Sequence, residues 1–167
     1  MTKREQCEIL YKDAFGDSGE FDIALFDSFF DYVETLETNG TVTAMYFKIP
    51  CTLHLANTTK LAYYIYAVTT HKDYRHKGLM SKLFADTTTK TDALYFLKPS
   101  SEGVIKFYEQ AGFKQIIGTR ESCEAIIEVS DGFKSLSMLC DKPQQNYTIM
   151  IKGITNINRL TFEYTLE

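Results

Sequence analysis

Apolar residues change their spacing several times along this chain, and each change predicts an element. Cys7, Leu10, Tyr11, Ala14 and Phe15 recur at helical spacing until Gly16 breaks the pattern. Asp17 and Ser18 offer an N-cap for a second amphipathic stretch, Glu20 to Phe30, with Phe21, Leu25, Phe26, Phe29 and Phe30 apolar. Two alternating runs then flank Asn39-Gly40, the dipeptide of a tight hairpin. A further run spans Cys51 to Leu55, and a polar turn at Asn57 to Thr59 leads into LAYYIYAVTT. That stretch is nearly all apolar and aromatic, so it predicts a central strand buried on both faces.

The period returns to helical at Leu79, Leu83, Phe84 and Thr87, with a start near Gly78. Ala93 to Leu97 is a short apolar strand. Ser100 or Ser101 can cap a helix through Ala111, and Gly112 ends it. Phe113 to Gly118 and Cys123 to Val129 read as extended. Two last alternating runs, Tyr147 to Ile151 and Leu160 to Leu166, are expected to fold back on each other through Asn156 to Asn158. Helices first, then antiparallel strands, then strand–helix–strand–helix–strand, is the order of a mixed α/β (α+β) domain with a parallel crossover in its middle.

Composition narrows the function classes. The 167 residues suit one compact domain, and a 44% apolar share argues against a disordered chain. The formal net charge is −4, which gives no general attraction to nucleic acid or to an anionic membrane surface. No apolar run approaches the roughly 18 residues of a spanning helix, and the charged start, MTKREQCEIL, lacks a signal-peptide core. Cys7, Cys51, Cys123 and Cys140 form no CxxC pair, so reduced thiols in a cytoplasmic protein are expected. No metal-ligand spacing, nucleotide P-loop, dinucleotide fingerprint or nucleophile elbow is present, and no metal is expected.

The chemistry concentrates in YIYAVTTHKDYRHKGLMSKLF, residues 64 to 84. A strand runs into a basic loop, and the loop opens a helix at Arg75, His76, Lys77 and Gly78. The first turn of a helix presents N–H groups without partners at the positive end of the macrodipole. A glycine at such a bend lets a ligand approach the backbone. The arrangement suits a phosphate or pyrophosphate.

The run DYRHKGLM resembles motif A of the Gcn5-related N-acetyltransferases (GNAT superfamily), R/Q-x-x-G-x-G/A, matching at Arg75 and Gly78 and departing at Met80. SEGVIKFYEQAGF, residues 101 to 113, resembles motif B of the same family. It matches at Phe107, Tyr108, Glu109, Gly112 and Phe113, with Ser101 where Asn is usual and Val104 where Ala is usual. The bulky pair Leu79-Met80 is similar to that of the Eis-like aminoglycoside acetyltransferases. The resemblance covers residues 60 to 115 by motif, and the N-terminal half by element order.

The resemblance implies the GNAT fold, a central mixed and mostly antiparallel twisted sheet flanked by helices. It implies one acetyltransferase domain over 1–167, with helices and a hairpin in 1–60, the acetyl-CoA motifs in 61–115 and C-terminal strands in 116–167. It also implies acetyl-CoA as co-substrate. The backbone of His76, Lys77, Gly78, Leu79, Met80 and Ser81 would cradle the pyrophosphate, with Arg75 shaping the turn. Val68, Thr69 and Thr70 would pair with the pantetheine arm, and the N–H near Val68 would meet the carbonyl oxygen. Ser101 would touch the cofactor through its hydroxyl, and Tyr108 would be the general acid, its phenol protonating the leaving thiolate. The acceptor would be a small-molecule or peptide amine, with no nucleic-acid or membrane partner and with a homodimer allowed. A base is not singled out: Glu34 and Glu37 on the first hairpin strand and Tyr64 and Tyr66 on the central strand all qualify, and Cys51 is the weaker basis for an acyl-enzyme route. A non-catalytic acyl-CoA-binding sensor or interaction module is the alternative.

Overall fold

A computed structural model describes residues 1–166 of the chain. Two helices open it, α1 (Lys3–Phe15) and α2 (Glu20–Phe29). Then follow β1 (Val33–Thr38), β2 (Thr41–His54), β3 (Thr59–Thr70), α3 (Leu79–Thr87), β4 (Leu94–Leu97) and α4 (Ile105–Gln110). The chain continues through β5 (Lys114–Thr119), β6 (Ile126–Glu128), α5 (Asp131–Ser137), β7 (Asn146–Gly153) and β8 (Arg159–Thr161). The strands hydrogen-bond in the order β1-β2-β3-β4-β7-β5-β8-β6, with β6 also pairing with β2. This is the expected mixed α/β class with the expected parallel crossover, β3 to β4 through α3.

The chain forms two compact units. The first comprises Met1–Ile49 and Ile65–Thr87. Its helix α1 begins in a capping box, where the Thr2 side chain accepts from the Glu5 N–H and Glu5 answers the Thr2 N–H. Gln6 on α1 accepts from the Val42 N–H at 2.9 Å, which ties the helix to β2. Tyr46 and Phe47, adjacent on β2 and both fully buried, point to opposite faces. Phe47 meets Phe26 of α2 edge-on with centroids 5.2 Å apart, and Tyr46 meets Phe84 of α3 at 5.0 Å. The helices therefore cover both faces of this part of the sheet. The Asn39-Gly40 hairpin forms as predicted, both residues at positive φ.

The second unit comprises Pro50–Tyr64 and the chain from Thr88 onward. Its strand order closes on itself, from β2 through β3, β4, β7, β5, β8 and β6 back to β2. Inside it, Tyr64 packs against Phe96, Phe133 and Phe162 with centroids 5.2–5.5 Å away. All four side chains are fully buried or nearly so.

Several expectations fail for identifiable reasons. Gly19 is the N-cap of α2, because Asp17 Oδ1 accepts from the Gly19 N–H and the Ser18 N–H is spent on Asp22 Oδ2. Cys51 to Leu55 is the far end of β2 and not a separate strand. β3 alternates buried and half-buried positions instead of burying both faces. The helix expected from Ser100 or Ser101 to Ala111 is a 3-10 turn, Glu102–Val104, followed by the shorter α4. β7 and β8 do not pair with each other: both flank β5, one antiparallel and one parallel. Helix α5 was not anticipated, although Ser130, which accepts from the Phe133 N–H, is an ordinary N-cap.

Candidate functional site

The residues singled out by motif A lie in the first unit. On β3, alternation of burial puts Tyr66, Val68 and Thr70 on one face and Ile65, Ala67 and Thr69 on the other. Burial repeats at Tyr64 and Ile65, a slip of one position, and Ala67 has φ +56°. Left-handed backbone at alanine costs roughly 1–2 kcal/mol, so the surrounding structure enforces it. The ladder from β3 to β4 covers Ala62–Tyr64 and ends there, ahead of Val68, Thr69 and Thr70.

A 3-10 turn, Lys72–Tyr74, follows the strand. The His71 N–H donates to Thr43 O at 2.8 Å and anchors the exit from β3. Arg75 Nε donates to Thr70 O at 3.1 Å, so the guanidinium ties the turn back to the strand end. Lys77 Nζ donates to Asp73 O and lies 5.0 Å from the Tyr74 ring centroid. His76 and Gly78 have φ +62° and +72°, and these left-handed residues turn the chain into α3. A Cβ at Gly78 would meet nothing within 4 Å. The glycine therefore answers a backbone need, and the space beside it is open. The first helical bond runs from Lys82 N–H to Gly78 O, so the N–H groups of Leu79, Met80 and Ser81 have no intrahelical partner. Met80, the departure from motif A, is only 6% exposed: its side chain is packed away in the core. His76, Lys77, Gly78 and Ser81 are exposed and Leu79 is half-buried. A cavity of about 230 Å³ adjoins the turn, lined by Leu10, Asp13 and Ala14 of α1 and by Thr70, His71 and Arg75. Sequence reading missed the α1 side of it, because nothing local links α1 to a loop some sixty residues later.

The motif B residues lie in the second unit. Ser101 is exposed ahead of the 3-10 turn, and its side chain makes no capping hydrogen bond, so helix capping does not explain it. Tyr108 on α4 is 8% exposed, with Phe107 and Phe113 at centroid distances of 5.3 and 5.9 Å. The Phe113 N–H donates to Tyr108 O past Gly112, whose φ is +95°.

The candidate bases sort by their partners. Glu34 forms a 2.7 Å ion pair with Lys48, whose ammonium also donates to Thr87 O. Glu37 pairs with Lys3 at the surface. Tyr64 is enclosed in the aromatic cluster of the second unit, and its hydroxyl accepts from the Leu166 N–H. The Tyr66 hydroxyl lies 3.4 Å from that of Tyr11. Burial pushes the Cys51 thiol up to about 12 and the Cys7 thiol up to about 11. A thiol at 12 supplies almost no thiolate at neutral pH, so an acyl-enzyme at Cys51 lacks its nucleophile.

A model of the acetyltransferase (GNAT) domain matches residues 3–116. A search of curated proteins finds no match. Among solved structures, a probable N-acyltransferase from Enterococcus faecalis V583 superposes with TM-score 0.56 at 19% identity, over 69% of this chain and 32% of that one. The chain thus spans about a third of that protein's length. Arabidopsis thaliana Naa50, in complex with a bisubstrate analogue, CoA-Ac-MVNAL, gives TM-score 0.52 at 14% identity over 91% and 94% of the two chains. Eis1 from Mycobacterium abscessus gives 0.51 at 8% identity over 69% and 31%.

Proposed function

The chain belongs to the GNAT acetyltransferase family, and from that footing we propose that it moves the acetyl group of acetyl-CoA onto the nitrogen of an amine acceptor, with both substrates bound together. One observation carries this reading. Left-handed His76 and Gly78 open α3 beside empty space, with the Met80 side chain withdrawn into the core. That leaves backbone N–H groups and a helix N-terminus facing outward, where a pyrophosphate needs donors.

Acetyl-CoA supplies an activated thioester. The backbone of His76 to Ser81 holds its pyrophosphate, with Arg75 keeping the turn closed. Val68, Thr69 and Thr70 carry the pantetheine arm along the edge of β3 that the β4 ladder leaves at Tyr64. The N–H near Val68 meets the carbonyl oxygen as negative charge gathers there, an effect often worth about 3 kcal/mol. Tyr108 gives its proton to the departing sulfur, and the Ser101 hydroxyl contacts the co-substrate. The acceptor nitrogen attacks as a neutral amine and passes its proton to water. With Cys51 buried and protonated, direct transfer is the route.

The test is thermal unfolding with acetyl-CoA, with adenosine phosphates as controls, together with thiol release over an amine panel. At a hundredfold excess over Kd, binding adds about 2.7 kcal/mol, enough to raise Tm by several degrees. Gly78→Val, which cannot hold φ +72°, is expected to cut the shift by more than half. No shift at millimolar acetyl-CoA sinks the reading, and a shift without thiol release assigns the chain to acyl-CoA sensing.

A further inference from the structure

The cavity of about 230 Å³ beside the motif A turn has an α1 wall that the transfer reaction does not use. Leu10 and Ala14, one turn apart on α1, give that wall an aliphatic strip, and Asp13 stands beside them. The other wall is Thr69, Thr70, His71, Lys72 and Arg75. Its charged groups are unpaired. The Asp13 carboxylate has no ion pair or hydrogen bond among the described residues, while Lys12 next to it is turned to Asp17 at 3.3 Å. The last turn of α1 is the negative end of the helix macrodipole, an unfavourable place for a carboxylate with no partner. Arg75 engages only its Nε, on Thr70 O at 3.1 Å, so its two outer nitrogens have no protein partner. The Lys72 ammonium has none among the described residues either. An acid and two cations thus line one small cavity without pairing across it.

Space sets the size of a guest. Liquid water takes roughly 30 Å³ per molecule, so the cavity suits a molecule of about eight non-hydrogen atoms. Charge sets its kind. Asp13 calls for an ammonium, the outer edge of Arg75 with Lys72 for a carboxylate, and the Leu10–Ala14 strip for an aliphatic group. A small α-amino acid carries all three.

We propose that this cavity is an effector site for a small aliphatic α-amino acid, its ammonium on Asp13, its carboxylate on Arg75 and Lys72, and its side chain against Leu10 and Ala14. It is not the acceptor site, because a nitrogen held on a carboxylate stays protonated and cannot attack a thioester. An occupant ties α1 to the turn that opens α3. The Arg75 Nε bond to Thr70 O closes that turn, and a carboxylate on the outer nitrogens holds it closed. The amino acid and acetyl-CoA therefore tighten each other's binding. This coupling rests on the transferase reading, whereas the binding itself does not.

The test titrates L-valine calorimetrically into wild type and Asp13→Asn, beside 3-methylbutanoate, which lacks the ammonium, and isobutylamine, which lacks the carboxylate. Asp13 is exposed and unpaired, so the variant is expected to fold with unchanged Tm. Wild type is expected to bind L-valine with Kd of about 1 mM or tighter, and each truncated probe about ten-fold more weakly. Asp13→Asn is expected to weaken L-valine about ten-fold and not to weaken 3-methylbutanoate, which brings no cation for Asp13 to meet. No binding of L-valine up to about 10 mM, or an equal loss for both probes, overturns the site. Saturating L-valine is expected to tighten acetyl-CoA binding about five-fold in wild type and not in Asp13→Asn. Unchanged acetyl-CoA affinity overturns the effector role, and competition between the two overturns it by giving the cavity to the co-substrate. Failure of acetyl-CoA to bind at all is a separate result against the transferase reading, and L-valine binding that depends on Asp13 would still uphold the site.

Discussion

Tyr64 and Tyr66 lie two residues apart on β3, in unlike settings. Tyr64 is 1% exposed, ringed by Phe96, Phe133 and Phe162, on the stretch that β4 ladders. Tyr66 is half-buried, its hydroxyl near that of Tyr11, one residue ahead of the left-handed Ala67. Between them the burial alternation slips by one position. The first stretch is foundation: Tyr64 is enclosed by three rings and the backbone ladders regularly with β4. The second carries the strain and feeds the loop that opens α3. One strand thus serves both tasks, and the slip marks where one gives way to the other.

Substituting the two tyrosines is the strongest way to break this contrast. Tyr64→Leu removes a ring from a dry four-ring cluster and is expected to cost about 3 kcal/mol, or roughly 6–12 °C in Tm. Tyr66→Leu should cost no more than about 1 kcal/mol, because its ring is already half in water. Thermal scans of both variants decide it. Equal losses would erase the distinction between foundation and site.

Burial alone does not make a tyrosine structural, and Tyr108 sharpens the point. It is nearly as buried as Tyr64, at 8% exposure, between Phe107 and Phe113. If it is the proton donor to the leaving sulfur, Tyr108→Phe lowers kcat by about 10²-fold while Tm and acetyl-CoA affinity hardly change. Steady-state kinetics beside a thermal scan separate the two effects. A fall in Tm with unchanged kcat would put Tyr108 in the same class as Tyr64.

The sequence showed the features that local chemistry decides. The Asn39-Gly40 hairpin, the break at Gly16 and the start of α3 after Gly78 all rest on φ values that few residues adopt. What it hid depends on distant partners. Nothing in LAYYIYAVTT marks Ala67 as left-handed, since alanine is no turn residue. Ser130 carried a readable cap for α5, but it stood between runs that read as extended. The orphan oxygen of Asp22 was equally out of reach. Asp22, whose Oδ1 has no hydrogen-bond partner, is 4% exposed on the inward face of α2, whereas its residue type alone suggests only a solvated face.

The smallest expected effect comes from Cys51, which shares the dry setting of Tyr64: its sulfur takes a hydrogen bond from the Tyr64 backbone. Burial outweighs that bond and raises the thiol from 9.0 to about 12. The neutral thiol is thus preferred in the folded chain, and unfolding frees it to ionise. The resulting stabilisation is complete below about pH 9 and is lost as pH climbs from about 9 towards 12. Between pH 8 and 10.5 the Tm of wild type should therefore fall more steeply than that of Cys51→Ala, even though the variant starts lower for want of the buried sulfur. Cys7, raised to about 11 on α1, tilts both curves alike. Parallel curves would mean that Cys51 ionises in the folded chain. Water would then reach the stretch that Tyr64 is held to keep dry, and the contrast drawn along β3 would fail at its better-packed end.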